Sequence, residues 1–184
     1  MKKPLVTILL VIFGIAPLAE ANGKVDVMLG SYTLSAKTRT ASKSISGLGS
    51  YQLGYRYSFL NHLDVQLAYS LIASKTFSGD LGYGPDFGVV YFPFTSSGPI
   101  AGETPTLQVK IHEYYKPFVS FAFHQRQYQS TQSAYAGFSG SGGSEFFYNS
   151  QYSFKAELRI IQLAGPSNTT ATETDLLLGI VYQL

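Results

Sequence analysis

Charged side chains recur at every second position in several apolar segments of this 184-residue chain. The segment 152–160 places Ser153, Lys155, Glu157 and Arg159 between aromatic and aliphatic residues. A β-strand sends successive side chains to opposite faces, so this spacing gathers the acids and bases on one face. Enclosed charges of opposite sign pair, because an isolated buried charge is costly. The spacing therefore predicts ion pairing inside an enclosed interior.

The same alternation extends this prediction to other segments of the chain. Charged residues opposite the apolar face of each candidate strand are predicted to form one mixed-charge ion-pair network. The predicted members are Asp26, Arg56, Asp64, His124, Arg126, Glu145, Lys155, Glu157 and Arg159. No metal site and no cofactor are predicted, since the His and carboxylate residues are scattered and the chain has no Cys.

One set of residues raises the question of nucleophilic catalysis. His124 lies in a segment with Ser120, and Glu145 supplies an acid elsewhere, a composition that could hydrolyse lipid acyl chains. Ser120 and His124 are four residues apart on one strand face, which separates them by about 13 Å. That distance excludes direct contact, so we predict no enzymatic activity. Of the other histidines, His62 is expected in a solvated turn and His112 in an irregular connection.

The N-terminus has the pattern of a cleaved secretory signal peptide. Lys2 and Lys3 precede an apolar stretch, and 19–21 (AEA) fits the small-x-small cleavage rule. We therefore expect residues 1–21 to be removed and residues 22–184 to form one domain. Removal leaves 11 basic and 10 acidic residues, and this near-neutral balance argues against nucleic-acid binding.

The elements that would position the charges are strands, because the dominant hydrophobic period is two. The last strand is the clearest, and its apolar face consists of Leu176, Leu178, Ile180, Tyr182 and Leu184. Asn turns at 61 and 149 each join two alternating segments into a hairpin. Between residues 86 and 94 both faces are apolar, so the facing of that strand stays open.

The composition favours a sheet whose apolar face meets lipid. Hydrophobic residues make up 45% and aromatic residues 15%, while only 13% are charged against about 25% in soluble proteins. A sheet in lipid must close, because open edges leave backbone polar groups unpaired. The prediction is an all-β fold, an eight-stranded antiparallel up-and-down transmembrane β-barrel with a lumen filled by side chains. A soluble β-sandwich with water-facing charges is the alternative.

Connection lengths predict which end of the barrel faces out. Four polar stretches are expected as long extracellular loops, at residues 37–47, 73–85, 127–143 and 164–174. The short Asn turns and both chain ends would then face the periplasm. The stretch 95–115 is long for that side, and it is either a periplasmic flap or an extension of the following strand.

Three segments of the mature chain carry a family likeness: residues 54–57 (GYRY), 153–159 (SFKAELR) and 178–184 (LGIVYQL). On these segments the chain resembles the small OmpA/OmpX-like bacterial outer-membrane β-barrel superfamily. The resemblance implies a location in the bacterial outer membrane, contact with outer-membrane lipid, and insertion by the barrel-assembly machinery. The terminal Leu184 departs from the usual aromatic ending. The chain is expected to be a monomer.

Two functions of different classes follow from the predicted barrel. The first is a structural scaffold that presents loops to surface partners, with Lys37, Arg39 and Lys43 as a possible contact for lipopolysaccharide phosphates. A merely solvated loop is the alternative for those three cations. The second function is a narrow conduit for small hydrophobic molecules, as in OmpW-like barrels. A lipid A-modifying enzyme is a distant third, and the charged interior face favours the scaffold.

Overall fold

The computed structural model describes residues 23–38, 42–74, 80–96, 100–104, 107–111, 114–129 and 132–184. These residues form ten strands and a single short 3₁₀ helix, Pro166–Asn168, within that described part. The strands are β1 Gly23–Lys37, β2 Ser42–Leu60, β3 Leu63–Ser74, β4 Asp80–Tyr91, β5 Ile100–Thr104, β6 Leu107–Ile111, β7 Tyr115–Tyr128, β8 Ala134–Phe147, β9 Tyr152–Ala164 and β10 Thr170–Gln183. Within these ranges no helix is long and apolar enough to span a membrane.

Eight of the strands close into an antiparallel barrel, as the sequence predicts. The order around the barrel is β1-β10-β9-β8-β7-β4-β3-β2, so the first strand pairs with the last. At this seam Val25 pairs with Tyr182 and Leu29 with Leu178. Gly23 and the C-terminal Leu184 therefore lie at one end of the barrel, here called the terminal end, where the Leu184 amide donates to the Gly23 carbonyl at 2.9 Å.

The register of the strands fixes the tilt of the barrel. A row of directly paired residues, followed once around the eight strands, returns to β1 ten residues from its start. The row consists of Ser35, Thr172, Gln162, Phe138, Phe123, Phe87, Leu67, Tyr55 and Val25. Ten residues correspond to about 33 Å along the strands, against about 38 Å across eight of them, which tilts the strands by roughly 40° from the axis.

The exterior of the barrel carries a continuous apolar belt. On β10 this belt runs from Leu176 to Leu184, about 20 Å along the axis at ~2.5 Å per tilted residue. Leu178, Phe154 and Phe121 are each more than half exposed on this surface. Exposed tyrosines ring the terminal end of the belt: Tyr57, Tyr91, Tyr115, Tyr148, Tyr152 and Tyr182. An apolar band with an aromatic girdle is the exterior of a membrane-spanning barrel.

The predicted long loops are wrong in their extent, because strands continue into all four stretches. The connections are only 38–41, 75–79, 129–133 and 165–169, so most of 37–47, 73–85, 127–143 and 164–174 is strand. Gly- and Ser-rich composition is typical of loops. In β8, however, some glycines lie where a larger residue would not fit: a Cβ on Gly143 would overlap the backbone of Ala156.

The stretch 95–115 contains a separate two-stranded sheet rather than an extension of a barrel strand. Strands β5 and β6 pair only with each other, with Ile100 opposite Ile111. His62 holds the beginning of this connection in place. Its Nδ1 lies 3.1 Å from the Phe92 carbonyl oxygen and 2.7 Å from that of Thr95, so the ring donates to the connection. The prediction of a merely solvated His62 is therefore incomplete; His112 lies outside the described residues.

A β-bulge in β2 changes which residues of that strand face outward. The pairing of β1 with β2 shifts between Gly30 and Ser31, leaving Gly49 as the extra residue. Gly49 has a φ of 141°, in the region that favours glycine. A one-residue slip reverses the two faces of a strand. Gln52 therefore points inward before the bulge, whereas Ser46 points outward beyond it.

Candidate functional site

The interior of the barrel holds the densest set of chemically active side chains. A first group, the Arg56 cluster, lies toward the terminal end and is centred on the guanidinium of Arg56. Arg56 contacts Asp26 at 2.8 Å, Asp64 at 3.4 Å and Glu145 at 2.5 Å, and all four side chains are fully buried. One cation thus holds three carboxylates that come from different strands. The arrangement joins β1, β2, β3 and β8 across the interior.

Two lysines complete the Arg56 cluster. Lys24 lies 2.6 Å from Asp64, and Lys155 lies 3.4 Å from Asp26 and 2.9 Å from Glu157. Both ammonium groups also lie over aromatic rings, Lys24 over Phe92 at 5.2 Å and Lys155 over Phe118 at 4.9 Å. Phe92 and Phe118 pack with Val90 into an apolar layer. Cation–π contact adds to the pairing of these enclosed lysines.

A second group, the Asp86 cluster, occupies the middle of the barrel. Asp86 accepts from Arg126 and from Ser70, contacts His124 Nδ1 at 2.7 Å, and accepts from Gln52 at 3.1 Å. Arg159 lies 4.0 Å from Asp86 and 3.1 Å from Asp175. Glu173 lies 3.9 Å from Arg126. Side chains of β2, β3, β7 and β9 therefore meet at the buried Asp86 carboxylate of β4.

All nine residues of the sequence-predicted network face the interior, but among the described residues they divide between these two clusters instead of forming one chain of ion pairs. Asp26, Arg56, Asp64, Glu145, Lys155 and Glu157 belong to the Arg56 cluster; His124, Arg126 and Arg159 belong to the Asp86 cluster.

The sequence prediction omits five buried charged side chains. They are Lys24, Asp86, Lys116, Glu173 and Asp175. The period of two is sufficient to find four of them: Lys24 shares a face with Asp26, Lys116 shares a face with His124, and Glu173 and Asp175 share the inner face of the last strand. Asp86 lies on β4, where apolar residues occupy both faces. Pairing with β3 and β7 settles its orientation: Phe87 and Val89 face out and Asp86 faces in.

The far end of the interior, opposite the terminal end, is apolar. Ile161, Leu163 and Ala171 are buried there, and Leu34, Ala36 and Tyr135 pack against them. Along the axis the interior therefore runs from an apolar layer through two charged clusters to a second apolar layer. Among the described residues, no group of three or more His, Asp or Glu side chains is arranged to hold a metal ion.

Three residues of the Asp86 cluster have the distances of a serine–histidine–aspartate triad. His124 Nε2 lies 2.6 Å from Ser139 Oγ, and Nδ1 lies 2.7 Å from Asp86. Spacing within one strand could not reveal this contact, because Ser139 comes from the neighbouring strand; Ser120 instead bonds Ser141 at 2.6 Å. Triad chemistry also needs an accessible nucleophile. Ser139 is only 3% exposed and His124 is fully buried.

This burial leads to a direct prediction about reactivity. A fluorophosphonate probe is expected to leave Ser139 unlabelled in the folded barrel, because its hydroxyl is enclosed with His124. The measurement is mass spectrometry of the peptide that contains residue 139 after exposure of the detergent-solubilised protein. A His124→Gln variant serves as the matched control. Labelling of Ser139 that disappears in H124Q would contradict the prediction and indicate a working nucleophile.

The predicted lipopolysaccharide contact lies at the far end of the barrel. Lys37 ends β1 and Lys43 lies near the start of β2, opposite Ala36, and both side chains are exposed. Arg39 lies outside the described residues. The structure therefore brings two of the three cations to one hairpin.

Solved structures of other proteins share the fold of this chain. The neisserial surface protein NspA superposes with a TM-score of 0.62, at 11% sequence identity over 88% of this chain and 97% of that one. OprG and the N-terminal barrel domain of OprF, both from Pseudomonas aeruginosa, each align at 13% identity with a TM-score of 0.49. They cover 88% and 89% of this chain and 95% and 98% of their own. No family model and no curated protein sequence matches the chain.

The strand order, the apolar exterior and the NspA superposition agree on one architecture. Each barrel strand pairs with two neighbours, which removes the open edges that lipid forbids. The predictions of a closed eight-stranded antiparallel barrel and of a β-structured transmembrane exterior are confirmed. The chain has the fold of the small OmpA/OmpX-like outer-membrane β-barrels.

Proposed function

We propose that the chain is an integral outer-membrane scaffold whose lumen is closed to ions by its own paired side chains. The observation that carries this proposal is the Arg56 cluster, in which one guanidinium contacts carboxylates of three other strands. Such contacts hold opposite walls together across the interior. The apolar layers at both ends of the clusters support the same reading, because neither favours a hydrated path.

In the proposed orientation the terminal end faces the periplasm. The tight turns at residues 61–62 and 149–151 and the β5–β6 hairpin lie at that end, and the opposite ends of the eight barrel strands face outward. The barrel-assembly machinery would insert the chain, which would then act as a monomer in contact with outer-membrane lipid. Lys37 and Lys43 would lie at the outer rim, where lipopolysaccharide phosphates are found.

Planar-bilayer recording tests the closed lumen. We expect the purified barrel to insert without producing discrete conductance steps, because in the proposed scaffold the paired side chains close the lumen to ions. Protease protection of the reconstituted protein verifies insertion. A Phe154→Ala variant, altered only on the exterior, is expected to be equally silent. Reproducible conductance steps from the parent barrel would overturn the proposal.

A conduit for small hydrophobic molecules is the second candidate, and one observation favours it. The far end of the interior is lined by Ile161, Leu163 and Ala171, which would accept an apolar solute. The Asp86 cluster lies directly beneath this layer and opposes further passage. Uptake of N-phenylnaphthylamine into proteoliposomes separates the two functions. The scaffold predicts uptake equal to that of empty liposomes, and a faster rate would establish the conduit.

A further inference from the structure

The outer surface of four neighbouring strands is rich in hydroxyl groups just beyond the apolar belt. We call this patch the hydroxyl surface. It consists of Thr33 and Ser35 on β1, Ser44 and Ser46 on β2, Thr172 and Thr174 on β10, and Gln162 on β9. The β2 serines face outward because of the bulge at Gly49. The bulge thus extends the patch onto a fourth strand.

Registered pairing arranges these side chains in rows. Ser35 lies between Thr172 and Ser44 in one row, and Thr33 lies between Thr174 and Ser46 in the next. The side chains bond across the strands: Thr33 to Ser46 at 2.9 Å, Ser35 to Ser44 at 2.8 Å, and Thr172 to the Gln162 oxygen at 3.0 Å. A hydroxyl has one donor and two acceptor sites, so a single cross-strand bond leaves capacity on each pair. The patch therefore offers both donors and acceptors on a fixed lattice.

The hydroxyl surface begins where the hydrocarbon-facing surface ends. Leu176 and Ile160, both about half exposed, are the last large apolar residues on the outer faces of β10 and β9 toward the far end, and Thr174 and Gln162 follow them on those faces. This position corresponds to the headgroup layer of the membrane. At the same end, the opposite wall carries Leu71 paired with Tyr83, whereas the outward serines and threonines of β1, β2 and β10 form one contiguous patch.

The charged residue next to the hydroxyl surface is a cation, and this favours an anionic ligand. On the outer face of these four strands beyond the belt, the described residues include no carboxylate, and Lys37 follows Ser35 on the same face. We propose that the hydroxyl surface binds the sugar headgroup of a phosphorylated glycolipid of the outer leaflet, with Lys37 next to a phosphate. Sugar hydroxyls donate and accept as the patch does. This inference rests on the proposed membrane location, and it deepens the proposed lipid contact by assigning sugar recognition to uncharged residues.

The test measures how much lipopolysaccharide the purified barrel retains. The full chain is reconstituted into phosphatidylcholine vesicles containing lipopolysaccharide in both leaflets, so that insertion in either direction exposes the patch to headgroups. Barrels are then extracted, captured, washed and assayed for bound glycolipid. The test variant is Thr33→Ala/Ser35→Ala/Thr172→Ala/Thr174→Ala. Its matched control is Gln125→Ala/Gln127→Ala, which removes exposed polar side chains from the outer face of β7.

We expect the test variant to retain about tenfold less lipopolysaccharide than the parent, since a loss of ~1.4 kcal/mol of binding corresponds to that factor. The control is expected to retain the parental amount. Vesicles with phosphatidylglycerol in place of lipopolysaccharide supply phosphate without sugar, and retention of that lipid should not distinguish the variants. Equal lipopolysaccharide retention by parent and test variant, or an equal loss of phosphatidylglycerol, would overturn the inference.

Folding is monitored separately by heat-modifiable gel migration. If the fourfold variant fails to migrate as a folded barrel, Ser44→Ala/Ser46→Ala on the other edge of the patch takes its place, with the same expected direction. Conductance in planar bilayers would reject the closed scaffold but would not alter the retention assay. Failure of the proposed function and failure of this inference are therefore distinguishable.

Discussion

An Arg56→Met variant is expected to lose about 3–5 kcal/mol of the free energy of unfolding, the usual cost of removing one partner from a buried ion pair. Arg56 is fully buried and contacts Asp26, Asp64 and Glu145. Methionine keeps much of the side-chain volume but leaves those carboxylates short of a cation. The measurement is the urea concentration at which the barrel loses its heat-modifiable gel migration in detergent micelles.

The exposed Lys37→Met variant is the matched control for Arg56→Met, and we expect its midpoint to equal that of the parent. A rescue variant separates charge from packing. In Arg56→Met, Asp26 keeps Lys155 and Asp64 keeps Lys24, whereas Glu145 loses its ion-pair contact with Arg56. Adding Glu145→Gln to Arg56→Met removes that uncompensated charge and should recover part of the lost stability. Parental stability in Arg56→Met alone would show that the Arg56 cluster does not hold the barrel together.

The second large effect is expected at a glycine of β8. A Cβ at Gly137 would overlap the backbone carbonyl of Gln162 on β9, whereas a Cβ at Gly140 would meet nothing within 4 Å. Gly137→Ala should therefore force the two strands apart and cost ~3 kcal/mol, in the range found for overpacked sites. Gly140→Ala should stay within ~0.5 kcal/mol of the parent. Urea unfolding of both variants gives the comparison.

These two variants form a close control, because they make the same chemical change three residues apart in one strand. Equal stability of Gly137→Ala and Gly140→Ala would mean that β8 and β9 are not packed as described. If Gly140→Ala alone lowered the stability, Gly140 would not lie on the open, lipid-facing side of β8.

The period of two in the sequence was sufficient to predict the barrel and the inward direction of nine charged residues. Lys155, Glu157 and Arg159 illustrate why. Each alternates with an apolar residue, so turning the charged face inward places every apolar side chain of this segment on the lipid-facing exterior. Where the period of two leaves the orientation open, pairing between strands decides it. Asp86 lies on a strand with two apolar faces, and its pairing with Ala68 of β3 and His124 of β7 orients it inward.

Local composition misled the prediction where strands continue beyond the membrane or meet crowded neighbours. The polar stretch from Ser42 to Gly47 belongs to the predicted loop 37–47, yet each of its residues pairs with β1. The stretch from Gly137 to Gly143 also has the composition of a loop, yet it pairs with β9, and a Cβ at Gly137 or at Gly143 would overlap the backbone of that strand. The spacing of residues along one strand also cannot predict the ion-pair partners, because each carboxylate that contacts Arg56 lies on a different strand.

Closure of the barrel between its first and last strands is the central claim, and cross-linking tests it most directly. The chain contains no cysteine, so paired cysteines can be introduced without background. Leu29 and Leu178 are direct partners across the seam, with an expected Cβ separation of about 5 Å. Leu29→Cys/Leu178→Cys should react intramolecularly with a short bifunctional methanethiosulfonate, whereas Leu29→Cys/Leu67→Cys, which joins strands that are not neighbours, should not. Absence of the seam cross-link in folded protein, or equal cross-linking of both pairs, would contradict a closed barrel.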